Sequence, residues 1–381
     1  MKDKIQITAE SSINKFKLKD WNDCNKDGNV FLSYNFLKLL EDSKSIGANT
    51  GWQPIYFCLK KNNKVTIIVP SFIKYHSQGE FVFDHSWAQA YQSLGLKYYP
   101  KLLIASPFSP VTGKRILVTP DANYQIKKKL FNFIKDFCKE KEISSIHINF
   151  FEEHELDFLK SEDFLIRYGE QFHFINNNYN TFEDYLKKLS YKIRKNISKE
   201  RKSIKHQGID IEIIKNEEFN ESLCQIMYKF YISTIEKKWS YNYLTKDFFI
   251  KLPQYLNKES ILILAKKNNN IIAGALNFVS NNILYGRYWG SNTDIKNLHF
   301  EVCYYQAMEL AIKNKYIKVE AGAQGAHKIK RGYLPKITYS AHYIFNEKLK
   351  LAIKNFLEEE RRIVLNDINH INDNYSPFKI I

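Results

Sequence analysis

The chain has 381 residues, 44% of them hydrophobic and 15% aromatic, with 57 basic and 41 acidic side chains and a formal net charge of +16. That length is too great for one ordinary core and predicts two domains, and the composition excludes a disordered chain. No run of 18 apolar residues is present to cross a membrane, and the opening Met1-Lys2-Asp3-Lys4-Ile5-Gln6 lacks the apolar stretch of a secretory signal.

In chain order, Tyr34 to Leu40 predicts a helix, with Phe36, Leu37, Leu39 and Leu40 apolar. Two apolar runs, Ile55 to Leu59 and Val65 to Val69, flank the polar reversal Lys60-Lys61-Asn62-Asn63 and predict a hairpin. Phe81 to Phe83 and Leu102 to Ile104 predict further strands. Ile126, Leu130, Phe133, Ile134 and Phe137 recur at helical spacing between Tyr124 and Lys139, and a strand from Ser145 to Phe150 follows. The second half repeats the order. Ile261 to Ala265, the turn Lys266-Lys267-Asn268-Asn269 and Ile271 to Leu276 predict a matching hairpin. A strand from Leu284 to Trp289, a helix from about Leu298 to Asn314 and a strand from Ile317 to Ala321 come next. Two such units about 205 residues apart predict a duplicated α/β domain, divided near Asn178 into residues 1–178 and 179–381.

Between the repeats, Thr181 and Asp184 form a capping box and Gly208 lies beyond the far end, which predicts one helix. Leu186, Leu189, Ile193, Ile197 and Ile204 make its apolar stripe. From Lys187 onward its other faces carry Lys187, Lys188, Lys192, Arg194, Lys195, Lys199, Arg201, Lys202 and Lys205 against the single acid Glu200. A solvated helix usually alternates signs. This one reads equally as an anion-binding track or as a bare basic surface. The global charge adds little, because 49 of the 57 basic residues are lysine and only 8 arginine. With Asn and Ile also abundant, that mixture points to AT-rich codon usage. The five scattered cysteines, Cys24, Cys58, Cys138, Cys224 and Cys303, offer no metal or disulfide spacing, so no metal is expected and a reducing cytoplasm fits.

The densest unusual stretch runs from Val319 to Pro335. It leaves a strand and sets Gly322, Gly325 and Gly332 among Glu320, Gln324, His327, Lys328 and Arg331. Glycines let backbone N–H groups approach a ligand, and convergent acid, base and cation after a strand end make a candidate site. The alternative is a loop whose polar groups only cap its neighbours. It is neither a Walker loop nor a dinucleotide fingerprint. Asp84, His85 and Trp87 form a second polar and aromatic cluster, which fits either an acceptor site or a buried Asp–His pair tying strands together. His299 and Glu301 open the helix that starts near Leu298, where anions are favoured.

Several blocks carry a resemblance to a known family. Gly51-Trp-Gln-Pro54, Phe83 to Ala88, Tyr98 to Leu103, Pro107 to Gly113 and Glu320 to His342 resemble the FemAB-like N-acyltransferases. This is a branch of the GNAT superfamily associated with peptidoglycan biosynthesis or recognition. The likeness spans roughly Phe31 to His342. It implies an α/β fold of two tandem GNAT-like (acyl-CoA N-acyltransferase) domains, each a mixed central sheet flanked by helices. It also implies transfer of an acyl or aminoacyl group to an amine, on a cell-wall precursor or a small amine. The donor is then an acyl-CoA or an aminoacyl-tRNA, with no permanently bound cofactor. A tRNA and the surface of a membrane are the polyanionic partners that such a basic protein meets.

In this reading Glu320 or His327 serves as base, Lys328 and Arg331 hold phosphate or carboxylate, and Gln324, His299, Glu301, Asp84, His85 and Trp87 contact substrate. Lys192, Arg194 and Lys195 meet the donor's phosphates. Two departures from the pattern stand out. Ala326 replaces a glutamate common in the family's loop, and Gly290 to Lys296 lacks the glycines of a CoA pyrophosphate loop. The first favours an alternative, a binding protein with a decayed site that recognises peptidoglycan fragments or RNA. The second favours tRNA over CoA.

Overall fold

The structure is a computed structural model that describes residues 3–238, 241–322 and 325–379. Its contacts divide the chain into two compact units, residues 1–169 with 337–365 and residues 170–336 with 366–381. This differs from the division expected near Asn178. The first unit regains residues 337–365 and the second the residues after them, which no local composition shift announces.

In the first unit the strands are β1 (Ile5–Glu10), β2 (Trp52–Lys61), β3 (Lys64–Lys74), β4 (Lys101–Ile104), the short β5 (Leu117–Val118) and β6 (Ser145–Phe151). In the second, β7 (Leu165–Ile175) contributes from residue 170, followed by β8 (Ile209–Lys215), β9 (Ser260–Lys267), β10 (Asn270–Ser280), β11 (Ile283–Ser291) and β12 (Lys318–Glu320). From residue 337, β13 (Leu334–Ile344) belongs to the first unit.

The strands of the two units follow one plan. The first runs β1-β2-β3-β4-β6-β13, antiparallel throughout except for the parallel β4–β6 pair. The second runs β8-β9-β10-β11-β12-β7, antiparallel throughout except for the parallel β11–β12 pair. The predicted hairpins, β2/β3 and β9/β10, hold the same two places. Each turns on an Asn-Asn pair with left-handed φ, 51° and 64° at Asn62 and Asn63, 49° and 64° at Asn268 and Asn269. Positive φ at both central residues suits a right-twisted hairpin, and Asn tolerates it better than most side chains.

Each unit has its own core. The helix Tyr124–Glu140, capped by the Asn123 side chain on Ile126 N–H, lays Ile126, Leu130, Phe131 and Ile134 on Phe57, Leu59, Leu102 and Ile146. In the second unit Phe174, Tyr185, Tyr305, Met308 and Tyr333 pack with Ile263 and Val319. Each such side chain contributes about 1.5–3 kcal/mol by leaving water.

Two sequence expectations change. Phe81 to Phe83 is a bend, with Phe81 at φ 60°, not a strand. The single basic helix is two helices, Phe182–Lys188 and Tyr191–His206. The capping box of Thr181 and Asp184 forms as expected. Leu189, however, is extended (φ −81°, ψ 155°) and bridges Phe378, while Ser190 N–H donates to Pro377 O and Lys379 N–H to Lys188 O. Backbone bonds to the C-terminal segment thus replace the helical ones that an uninterrupted run makes.

Candidate functional site

A cavity of about 350 Å³ opens in the second unit. Strands β10 and β11 supply Asn277, Arg287, Tyr288 and Trp289. The helical segment after Asn297 supplies His299, Cys303 and Tyr304, and the loop after β12 supplies Gly322, His327 and Lys328. That helical segment contains a π turn, Glu301–Tyr305, between α-helical stretches. Such an extra residue per turn re-aims side chains and is frequent at functional sites.

The loop owes its path to its glycines. Gly322, Gly325 and Gly332 have φ of 81°, 123° and 80°, and a Cβ on Gly332 would lie 2.4 Å from the Tyr185 hydroxyl. That hydroxyl donates to Arg331 O at 2.8 Å and holds the end of the loop. Lys328 is buried to 2% exposure, and its Nζ donates to Gly322 O at 2.8 Å. Burial, and then the nearby charge of Arg287, push its pKa down to about 8. His327 lies on the more open side, with Nε2 2.9 Å from the Tyr304 hydroxyl. Its pKa is lowered, first by desolvation and then by Arg331 and Lys328. The His299 ring sits 6.2 Å from that of His327 and 5.2 Å from Trp289.

His299, His327 and Lys328 therefore meet, and the other described candidates lie elsewhere. Glu320 is buried at the end of β12, with Lys318 Nζ at 2.6 Å, and is not among the lining residues. Across the ladder from it, burial moves His173 down to about 4. Arg331 is tied into the structure. Its Nη2 donates to both Glu200 oxygens at 2.9 and 2.8 Å, its Nη1 donates to His327 O, and Phe300 stacks on it at 3.5 Å. The lone acid of the basic helix is thus an internal anchor, which also accepts from the Tyr305 hydroxyl. Glu301 is likewise buried, 3.0 Å from Arg201, which bonds Glu309 as well at 2.7 Å. These ion pairs lower the count of cations available to a ligand. Lys192, Lys195, Lys199, Lys202 and Lys205 stay exposed with no acid partner among the described residues, and Arg194 leans over Tyr191. Gln324 lies outside the described residues.

In the first unit, Asp84 does not pair with His85, which is exposed. It bonds Lys101 and Tyr98 instead. Lys101, fully buried, also donates to Glu80 at 2.8 Å and to Ser77 at 2.8 Å, and Lys74 stands 3.8 Å from Glu80. Burial sends the Lys74 ammonium down to about 7 and the Glu80 carboxyl up to about 7. From Tyr98 the network reaches His147 at 3.3 Å, whose Nδ1 is 2.7 Å from His342 Nδ1. Trp87 packs edge-on against His342 at 4.7 Å. Burial drives both imidazoles well below 6.5.

Sequence reading missed Arg287, Tyr304, Lys101, His147 and His342. Part of their signal was present: Lys101 opens the apolar run Leu102 to Ile104, and Arg287, His147 and His342 stand within strands, where a buried polar group without a partner is costly. Among the described residues no group of His, Cys, Asp and Glu is placed to hold a metal ion, and no helix is long and apolar enough to cross a membrane.

Comparison with known proteins agrees with this architecture. The structure of FemX matches with a TM-score of 0.56 at 12% identity, over 89% of this chain and 98% of that one. L-PGS from Bacillus licheniformis matches at 0.51 and 10% identity, over 84% and 95%. The C-terminal domain of a putative lysylphosphatidylglycerol synthetase from Agrobacterium fabrum matches at 0.52 and 9%, over 88% and 94%. At such identities these likenesses establish the fold. No curated protein sequence matches. The FemAB-like family profile, described as peptidoglycan biosynthesis/recognition, matches residues 12–380. By that match, which takes in nearly every residue of both units, the chain belongs to the FemAB-like family.

Proposed function

We propose that this chain transfers an acyl or aminoacyl group to an amine on a peptidoglycan precursor or a related molecule, in the cavity around Lys328. The observation that carries this reading is Lys328 itself, a buried ammonium on a cavity wall beside a histidine. The acceptor nitrogen attacks the donor carbonyl, a C–N bond forms, and the carbonyl oxygen becomes an oxyanion. Lys328 Nζ–H stabilises that charge, and collapse breaks the donor's C–S or C–O bond, the leaving thiolate or alkoxide receiving the proton that the amine gave to His327. In the tautomer whose Nε2–H donates to the Tyr304 hydroxyl, 2.9 Å away, Nδ1 is left to take the amine proton. The shared strand order of the two units supports reading them as duplicated GNAT-like domains. The cytoplasm is the compartment this chemistry fits.

An aminoacyl-tRNA, or another large polyanionic donor, is favoured over acetyl-CoA. The exposed lysines of Tyr191–His206 support this, as does the absence of the pyrophosphate-loop glycines between Gly290 and Lys296. The test is titration with tRNA and with acetyl-CoA at several salt concentrations. tRNA binding is expected to weaken by roughly 0.7–0.9 log units per log of salt for each phosphate contacted. A Lys192/Arg194/Lys195 triple alanine variant is expected to flatten that slope. Tight acetyl-CoA binding that survives the triple change, with no tRNA binding at low salt, would remove this donor.

A further inference from the structure

The cavity has a sign. Arg287 and Lys328 line it with His299 and His327, and none of its described lining residues is an acid. The two loop residues outside the description, Ala323 and Gln324, are not acids either. Glu320, whose field reaches Arg287, is buried beside Lys318 and does not line the cavity. Tyr231, Tyr288, Trp289 and Tyr304 add aromatic rings to the wall. Cations held in a partly desolvated, low-dielectric space repel a further cation far more strongly than they do in water. The site itself registers this, since Arg287 is one cause of the lowered pKa of Lys328.

We propose that this cavity selects its acyl group by charge: it takes acyl groups with neutral or anionic side chains and rejects those with a cationic one, such as lysyl or arginyl, with Arg287 setting the sign. The proposal rests on the acyl-transfer reading of the cavity and narrows its substrate class. An α-amino group does not conflict with it. Such a group titrates near 8 and gives up its proton at modest cost, whereas a lysyl ammonium, near 10.4, does not. Asn277 and Thr234 on the wall offer neutral hydrogen-bonding partners to an uncharged side chain, and the positive charge of Arg287 attracts a carboxylate.

The experiment compares three probes of similar length by ligand-observed NMR: the N-acetyl methylamides of norleucine, 2-aminoadipate and lysine. On the wild-type protein the first two are expected to bind at least about tenfold more tightly than the lysine probe. Arg287→Gln is expected to bring the three within about threefold. Ala326→Glu, which adds a carboxylate next to His327 in the chain, is expected to narrow the gap without touching β11. A circular-dichroism melt checks that each variant folds. A lysine probe that binds the wild type as tightly as the others, or no binding by any of the three, would overturn the proposal. Because the readout is binding, discrimination without any transfer activity would uphold this inference while removing the reading it rests on.

Discussion

Replacing Glu200 by alanine takes away the partner of a buried cation. Arg331 is 6% exposed, and Glu200 receives two of its charge-assisted hydrogen bonds as well as the Tyr305 hydroxyl. Stripping one partner from a fully buried pair costs about 3–5 kcal/mol. The Glu200 carboxylate is 24% exposed, so water enters part of the gap and the expected loss falls to about 2–3 kcal/mol. Arg331→Met alone leaves Glu200 partly hydrated and costs about 1–2 kcal/mol. Since the double variant leaves no unpaired charge, it is expected to fall short of the sum of the singles by about 1 kcal/mol or more. A two-unit chain need not unfold in one step. Hydrogen exchange of peptides from residues 191–206 and 326–333 is therefore the assay. Exchange within about 0.5 kcal/mol of wild type in Glu200→Ala, or strict additivity in the double variant, would refute the anchor. It would also return Arg331 to the ligand-binding candidates.

Lys101→Met leaves Glu80 and Asp84 as buried acids without their shared cation, and is expected to destabilise the first unit by about 3–5 kcal/mol. Adding Asp84→Asn is expected to recover part of that loss in hydrogen exchange of β4. The buried His147–His342 pair makes a pH prediction. Both folded pKa values lie well below 6.5, so below pH 6.5 the unfolded chain binds protons that the folded one does not. The pair's stability is present above 6.5 and lost as pH falls. Relative to His342→Gln, the wild type is expected to lose up to about 1.4 kcal/mol per pH unit below 6.5, read from hydrogen exchange of β6 at each pH after correction for the intrinsic exchange rate. The Lys328 ammonium is moved down to about 8. If it steadies an oxyanion, transfer is expected to decline as pH rises through about 8, and that limb is expected to vanish in Lys328→Met.

Much of the fold was legible because the sheet-forming runs are apolar and punctuated by Asn-Asn turns. The hairpins Ile55–Val69 and Ile261–Leu276 and the helix after Asn123 follow from pattern alone. The break at Leu189 was not legible, because it depends on backbone bonds to residues 377–379, almost 190 positions away. The same holds for β13, whose place in the first unit is set by ladder pairing with β6. At the site, the glycine-bounded loop announced itself through composition, and His327 and Lys328 came with it. Glu301 and Arg331 stand at positions that read as ligand-facing, yet their partners, Arg201 and Glu200, lie a hundred or more residues earlier. Charge type alone does not tell a binding residue from half of an ion pair. Arg287 was overlooked in a strand quoted for its apolar ends, although only 8 arginines occur in the whole chain.

The central claim is that the buried ammonium of Lys328 does chemistry in the second unit's cavity. Its most direct test is the rate of transfer of a labelled aminoacyl group from tRNA to a peptidoglycan-precursor peptide by wild type and by Lys328→Met, whose side chain fills a similar volume without the charge. Removing one preorganised oxyanion donor typically lowers turnover by about 100- to 1,000-fold. The account predicts a loss of that size in a variant whose hydrogen exchange matches wild type. Transfer by Lys328→Met at the wild-type rate would contradict it.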